Sequence, residues 1–583
     1  MSRRVAREAA RLAAAAPRGE CTEELTALAL ACAKAPDRGE TAETFARAGG
    51  LVALAAAVTA CLNGDRGVRP GQKIGDFEFE DDVQALLSAG AQLLRRCRKD
   101  VLKAAVESPL VAALSLSVER SNPSIGVVTA VADSVGTLAA ACDYNALRGV
   151  ELGLLDGVLR AARQFGPRTQ AVPSSPEAGL ARQDADRKVQ ALDESKQGVS
   201  GSVAGTPPPP SPTEKMIANL DRAVLRALTG SGLDVPRLPR GGRRGVRILA
   251  LDGGGTRALT ALEMVREIEL QTKRPIHQIF DLIGGTSTGG ILALALGIRM
   301  RSVNDCEKVY KTMAAQIFSR GTRVLSAGRL LLLNKGQYNT SALEAVLKDA
   351  LGDSTLVDSR INDARCPRVF VVSTMMSTPA AVPYLHANYR PPPRPPGSGE
   401  HRYRHGAHHM LWEAARASTA VPSYFDAYKS GGELFCDGAI LVNNPAAIAV
   451  HEARLLWPNA PLDCVVSVGT GKSDFSTRVS SENLYGIAKA LINSATDTEA
   501  VHHALEDLAP SGAYFRFNPV IPQDVALDEA RPQKLDEIQK LAREYVQNHR
   551  DRFQELANLI VDGRETTQRD STKSRWPRWT TRL

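Results

Sequence analysis

Ile279-Phe280-Asp281-Leu282-Ile283-Gly284-Gly285-Thr286-Ser287-Thr288-Gly289-Gly290-Ile291-Leu292-Ala293-Leu294-Ala295-Leu296-Gly297-Ile298 decides how the C-terminal half of this 583-residue chain is read. The apolar run Ile279–Ile283 predicts a strand and Ile291–Ile298 a helix. Between them stands Gly285-Thr286-Ser287-Thr288-Gly289, a G-x-S-x-G string in strand–turn–helix context. In that setting the turn is sharp, Gly285 and Gly289 let backbone segments pack closely, and the serine hydroxyl is left exposed at the end of the sheet. Ser287 is the candidate nucleophile; the bland alternative is a Gly/Ser-rich turn without chemistry.

Working outward, Arg247–Leu251 reads as an earlier strand running into Asp252-Gly253-Gly254-Gly255-Thr256-Arg257, with Leu259, Leu262, Val265 and Ile268 marking one face of a following helix. Three successive glycines bring backbone N–H groups close to a ligand and favour negative charge. The segment alone fits a phosphate loop of the sugar-kinase type, an oxyanion hole for acyl transfer, or a tight turn. The serine elbow favours the second. Further strands are expected at Val369–Thr374, Leu434–Asp437 and Cys464–Val468, and strand–helix alternation on this scale implies an α/β sheet covered on both faces.

A serine hydroxyl needs a base. Asp437, in Asp437-Gly438-Ala439 at the end of a predicted strand, either takes the Ser287 proton directly or orients a histidine in a Ser–Asp–His triad, for which His451 has a plausible chain order. His451 sits inside the apolar helical run Ala446–Leu456, where a histidine is more often packed than catalytic. The two-residue arrangement is favoured.

These three strings resemble the signatures of the patatin-like phospholipase family, and the likeness extends through Trp412–Ser418, Asn443-Asn444-Pro445 and Ser467–Gly471. Asn493–Glu499 and Tyr514–Pro519 are similar to the calcium-independent phospholipase A2 of the gamma type. The resemblance covers about residues 246–560. It implies a three-layer α/β/α domain with a Ser287–Asp437 dyad and no catalytic histidine. Gly253, Gly254 and Gly255 would supply the oxyanion hole with Arg257 at its rim, and Asp437, Gly438 and Ala439 the proton-acceptor motif. No cofactor and no metal are implied. The expected reaction is calcium-independent hydrolysis of a fatty acyl ester of glycerophospholipid through an acyl-enzyme. Lysophospholipids, neutral lipids or galactolipids are the alternative substrates; a sugar-kinase-like phosphotransferase and an inactive helical-repeat adaptor are rivals from other classes. The gamma type tends to end in Ser-Lys-Leu, whereas this chain ends Thr581-Arg582-Leu583, which puts peroxisomal import in doubt.

The rest of the chain divides by composition. Residues 1–165 are Ala- and Leu-rich at helical spacing and suggest an all-α domain, with armadillo-like repeats and a plain helical bundle as equal readings. Residues 166–245 read as a Pro-rich and basic linker containing one amphipathic helix near Met216–Leu228, 246–560 as the α/β domain, and 561–583 as a basic tail carrying Trp576 and Trp579. Arg390–Gly399 reads as a Pro-rich surface loop. His401, His405, His408 and His409 read as part of a solvated loop, since no carboxylate or cysteine is spaced with them as a metal ligand set. Leu330–Leu333 is either a buried helix segment or a lipid-contacting lip.

The nine cysteines are scattered and form no C-x-x-C pair, which argues for a reducing compartment. No uninterrupted apolar run reaches the ~18 residues of a membrane-spanning helix. The net charge of +8 suits an anionic surface. A phospholipid membrane surface is the expected partner, together with a candidate protein partner for the N-terminal region and no nucleic acid. A cytoplasmic, peripherally membrane-associated location is favoured over mitochondrial, plastid or peroxisomal ones. The Arg- and Ala-rich start, Met1–Leu12, reads as an ordinary first helix rather than a transit segment.

Overall fold

The computed structural model describes residues 2–15, 22–33, 40–63, 76–94, 97, 105, 109–119, 123–141, 154–162, 212–234, 245–318, 338–363, 365–394, 401–422, 424–473, 498–509, 512–522 and 525–561. The chain forms two compact units, Met1–Ser231 and Gly232–Leu583. Leu330–Leu333, the basic tail and most of the 166–245 segment lie outside the described residues.

All described secondary structure of the first unit is helical, including Leu51–Asn63, Asp76–Leu94, Pro109–Glu119 and Ile125–Ala141. Leu54, Val58, Leu87, Leu114, Val128 and Val131 belong to one buried core. The amphipathic helix expected inside the linker runs Pro212–Gly230 and joins that core through Leu220, Ala223, Val224 and Ala227. Those positions recur at helical spacing on one face, so the helix buries a stripe rather than standing free. Gly136 allows a close approach: a Cβ there would lie 2.8 Å from the Ala227 nitrogen.

The second unit is built on a nine-stranded mixed sheet. Its strands are β1 (Val246–Leu251), β2 (Leu282–Thr286), β3 (Arg368–Met375), β4 (Val382–Ala387), β5 (Arg404–Gly406), β6 (Tyr428–Ser430), β7 (Glu433–Asp437), β8 (Leu462–Val468) and, after the short β9 (Lys472–Ser473) that lies outside this sheet, β10 (Tyr514–Phe517). The main path is β10-β8-β1-β2-β3-β4-β5; β7 pairs with β3 and β6 with β7. Period-two alternation sorts the strand residues between two cores. Leu249, Leu251, Ile283, Val371, Val466 and Phe515 pack with helices Ala258–Thr272, Val303–Ile317 and Pro532–Asn548. Ile248, Ala250, Leu282, Phe370, Val372 and Val465 pack with helix Ala446–Leu456. No described helix of the chain is long and apolar enough to cross a membrane.

The segment that opened the sequence reading folds three residues later than its apolar pattern suggests. Ile276–Ile279 is a helical turn, and β2 begins at Leu282 and includes Gly284 and Gly285. The chain is turned at Asp281, whose carboxylate accepts the Arg247 N–H at 2.9 Å. Gly284 lies inside the strand with the Phe370 ring over it; a Cβ would meet that ring at 2.3 Å. The expected helix Ile291–Ile298 divides into an α-helical part, Thr288–Ala293, and a π turn, Leu294–Ile298.

Two loop expectations are corrected. The Pro-rich segment begins buried, with Arg390 4% exposed and donating to the His405 carbonyl at 3.3 Å. His405 and His409 are buried rather than solvated. A carboxylate distant in sequence explains this: His405 Nε2 and the Tyr389 hydroxyl each lie 2.9 Å from Glu452 Oε2. Burial alone would raise the Glu452 carboxyl, but His405 and Tyr389 outweigh it and hold it below its ordinary value. His386 bridges Ser373 Oγ at 2.8 Å and His409 Nδ1 at 3.2 Å.

Candidate active site

β3 explains how Ser287 and Asp437 come together. Along one edge it pairs first with parallel β2, ending at Thr286↔Val372, and then with antiparallel β7, beginning at Asp437↔Ser373. The C-terminal ends of β2 and β7 therefore meet head-on at consecutive residues of β3. The Ser287 hydroxyl donates to Asp437 Oδ2 at 2.6 Å, and both residues are buried.

Ser287 has φ 53° and ψ −123°, a sparsely populated backbone conformation for a residue with a side chain. Such positions cost about 1–3 kcal/mol and persist only where the surroundings enforce them. Here Ser418 Oγ accepts the Ser287 N–H at 2.8 Å and donates to the Val372 carbonyl at 2.6 Å. The glycines of the elbow are dictated by close backbone approach. A Cβ on Gly285 would lie 2.2 Å from the Gly289 carbonyl oxygen, and one on Gly289 would lie 2.3 Å from that of Leu251.

Asp437 is held on every side. Its Oδ1 accepts the Ala439 N–H at 2.7 Å, its carbonyl accepts from the Thr374 hydroxyl at 2.9 Å, and its N–H donates to Ala420 at 3.0 Å. Burial pushes the carboxyl up to about 7, against the opposing effect of the Ser287 and Ala439 hydrogen bonds. A carboxylate of that affinity matches a proton acceptor working near neutral pH. His451, the histidine with a plausible chain order for a triad, packs its ring edge-on to Tyr403 at 5.3 Å.

The glycine turn follows β1 as expected and leads into a 3-10 turn, Gly255–Arg257, and helix Ala258–Thr272, the helix predicted from Leu259, Leu262, Val265 and Ile268. Gly253 N–H donates to the Asn443 carbonyl at 3.3 Å, and Gly254 N–H to Thr288 Oγ1 at 3.2 Å. Thr470 Oγ1 donates to the Gly253 carbonyl at 2.9 Å. Arg257 is half-buried, burial pushes its guanidinium down to about 10, and its Nε has no hydrogen-bond partner among the described residues. Beside Ser287 lies a largely apolar cavity whose lining includes Gly255, Thr288, Ile291, Met313, Ile317, Leu343, Val421 and Phe425.

Sequence reasoning assigned no role to several residues that build this site. Asp252, which opens the glycine turn, lies 2.7 Å from Arg516 of β10, and Arg516 also contacts Ser467 at 2.8 Å and Glu499 at 3.2 Å. Burial pushes the Asp252 carboxyl up to about 6 even with that guanidinium beside it. Ser418, Asn443, Thr470 and Arg516 all fall inside strings that carry the family resemblance, which was the available signal. Among the described residues, no group of three or more His, Cys, Asp or Glu is placed to hold a metal ion.

Residues 249–450 match the family described as patatin-like phospholipase. Calcium-independent phospholipase A2-gamma of Oryctolagus cuniculus is 39% identical over 331 residues, covering 56% of this chain and 41% of that protein. Phospholipase A I of Arabidopsis thaliana is 31% identical over 371 residues, covering 55% of this chain and 28% of that protein. Among solved structures, human GIVD cytosolic phospholipase A2 in complex with methyl gamma-linolenyl fluorophosphonate matches with a TM-score of 0.33 at 14% identity, over 61% of this chain and 64% of its own. The chain thus spans less than half the length of these two curated relatives. Within its second unit, residues 249–450 of this chain are similar to the patatin-like phospholipase family.

Proposed function

We propose that the chain is a calcium-independent serine acyl hydrolase that cleaves a fatty acyl ester of glycerophospholipid at a membrane surface. The observation that carries this reading is the 2.6 Å hydrogen bond from Ser287 to a buried Asp437 whose carboxyl is raised to about 7. Ser287 Oγ attacks the ester carbonyl as Asp437 takes its proton. The negative charge that develops on the carbonyl oxygen is met at the glycine turn, where hydrogen-bond donors act in a water-poor site. Asp437 then returns the proton to the departing alcohol. In the second half-reaction it activates a water, which releases the fatty acid from the acyl-enzyme.

The cavity beside Ser287 supports a fatty acyl substrate, since Ile291, Met313, Ile317, Leu343, Val421 and Phe425 among its lining residues suit a hydrocarbon chain. The similarity to a calcium-independent phospholipase A2-gamma and a phospholipase A I favours glycerophospholipid. The mildly basic chain suits peripheral association with an anionic membrane. In this reading residues 246–560 form the three-layer catalytic domain, and the helical unit Met1–Ser231, an armadillo-like array or a plain bundle, engages a protein partner.

Hydrolysis of fluorogenic phosphatidylcholine vesicles in EDTA tests the proposal. Activity that survives chelation and disappears in Ser287→Ala is the expected result; activity strictly dependent on added calcium would contradict it.

A further inference from the structure

Two of the three candidate oxyanion amides are already engaged in the resting site. Gly253 N–H is taken by the Asn443 carbonyl and Gly254 N–H by Thr288 Oγ1. Neither Gly253 nor Gly254 borders the cavity beside Ser287, whereas Gly255, Ser287 and Thr288 all do. Thr288, whose hydroxyl oxygen accepts the Gly254 N–H, thus borders the same cavity as the nucleophile next to it in sequence.

A threonine hydroxyl has one proton to give and two lone pairs to receive. One lone pair takes the Gly254 N–H, and among the described residues no acceptor takes the hydroxyl's own proton. The side chain is also well fixed. Its β-branch restricts rotation about χ1. Its carbonyl accepts from the buried Tyr310 hydroxyl. The residue before it is pinned through Ser418.

We propose that the Thr288 hydroxyl is a further catalytic residue, an oxyanion donor that relays the Gly254 amide to the reacting carbonyl. This inference rests on the acyl-hydrolase reading above. As the Ser287 Oγ–carbon bond forms, the serine proton passes to Asp437 and the carbonyl π pair moves onto oxygen. Thr288 donates its hydrogen bond to that oxygen while accepting from Gly254, and chained hydrogen bonds of this kind polarise one another. When the tetrahedral intermediate collapses, the pair re-forms the carbonyl, the alcohol leaves with the proton held by Asp437, and Thr288 keeps its own proton throughout.

The test compares Thr288→Val, which keeps the shape and loses the hydroxyl, with Thr288→Ser, which keeps the hydroxyl. Steady-state hydrolysis of a p-nitrophenyl acyl ester is measured on the full chain. The expected result is a loss of about 100-fold in kcat for Thr288→Val with little change in KM, the scale of losing one oxyanion donor, and a much smaller loss for Thr288→Ser. If Thr288→Val does not fold, as judged by circular dichroism, Thr288→Ala is read against Thr288→Ser instead. Unchanged or faster turnover in Thr288→Val overturns the proposal, since the hydroxyl would then be a plug over Gly254. Equal losses in the serine and valine variants overturn it as well, because packing alone would explain them. A wild-type chain that does not hydrolyse the ester, or a Ser287→Ala variant as fast as wild type, overturns the acyl-hydrolase reading and this inference together; the Thr288 outcomes leave that reading standing.

Discussion

Ser287 and Asp437, 150 residues apart, share a 2.6 Å hydrogen bond in which the carboxylate's second oxygen is already taken by the Ala439 amide. The acid is thereby aimed: one oxygen fixes its orientation and the other faces the hydroxyl. Ser287→Ala and Asp437→Ala should each lower ester hydrolysis by about a thousandfold or more while the far-ultraviolet circular dichroism stays that of the wild type. Substantial activity in either variant would remove the pair from the mechanism.

The carboxyl raised to about 7 sets a pH profile. Because Asp437 must be ionised to accept the serine proton, kcat/KM should rise with pH through a limb near 7 and level off above it. A profile already flat at pH 5 would show an acceptor of ordinary carboxylate affinity.

The same shift has a stability consequence. A carboxyl whose folded value lies above its ordinary 3.8 binds its proton more tightly in the native state, so between about pH 4 and 7 stability falls as pH rises. Asp437→Asn removes this dependence. Its melting temperature relative to wild type should therefore be higher at pH 8 than at pH 5, as read by thermal denaturation at the two pH values.

Ser418 is predicted to act through Ser287 as a positioning residue. Ser418→Ala leaves the Ser287 N–H buried without its acceptor, a cost of about 1–3 kcal/mol. The strained elbow should relax, lowering kcat by about tenfold or more. Slower labelling of Ser287 by a fluorophosphonate would separate this from a uniform loss of folded protein.

Arg516 is expected to hold the glycine turn through Asp252. Arg516→Met strands a buried carboxyl, and breaking such a pair typically costs about 3–5 kcal/mol. Adding Asp252→Asn should recover part of that loss, because the group left behind then carries no charge. Denaturant midpoints of the two variants provide the measurement.

Much of the chemistry was legible in the sequence because its constraints are local. An elbow needs glycines at fixed offsets from the serine, and the Asp437-Gly438-Ala439 string carries its own amide for the carboxylate. The β2 boundary was not legible, since an apolar run of five residues looks alike in a helical turn and a buried strand, and Gly284 lies inside the strand under the ring of Phe370, a residue distant in sequence. The histidine segment failed for a related reason: Glu452, which draws His405 inward, lies 47 residues further along the chain. Nor does any pattern announce that Thr288 would cover the Gly254 amide, because that contact depends on two turns brought together by the β1–β2 pairing.

The head-on meeting of β2 and β7 also constrains how this chain can change. One residue inserted into either strand would advance its end by about 3.3 Å and turn the alternating side chains to the opposite face. The gap between nucleophile and acceptor can thus be altered only in whole-residue jumps. Length variation should be tolerated in the loops that lead into these two strands and excluded from the strands themselves.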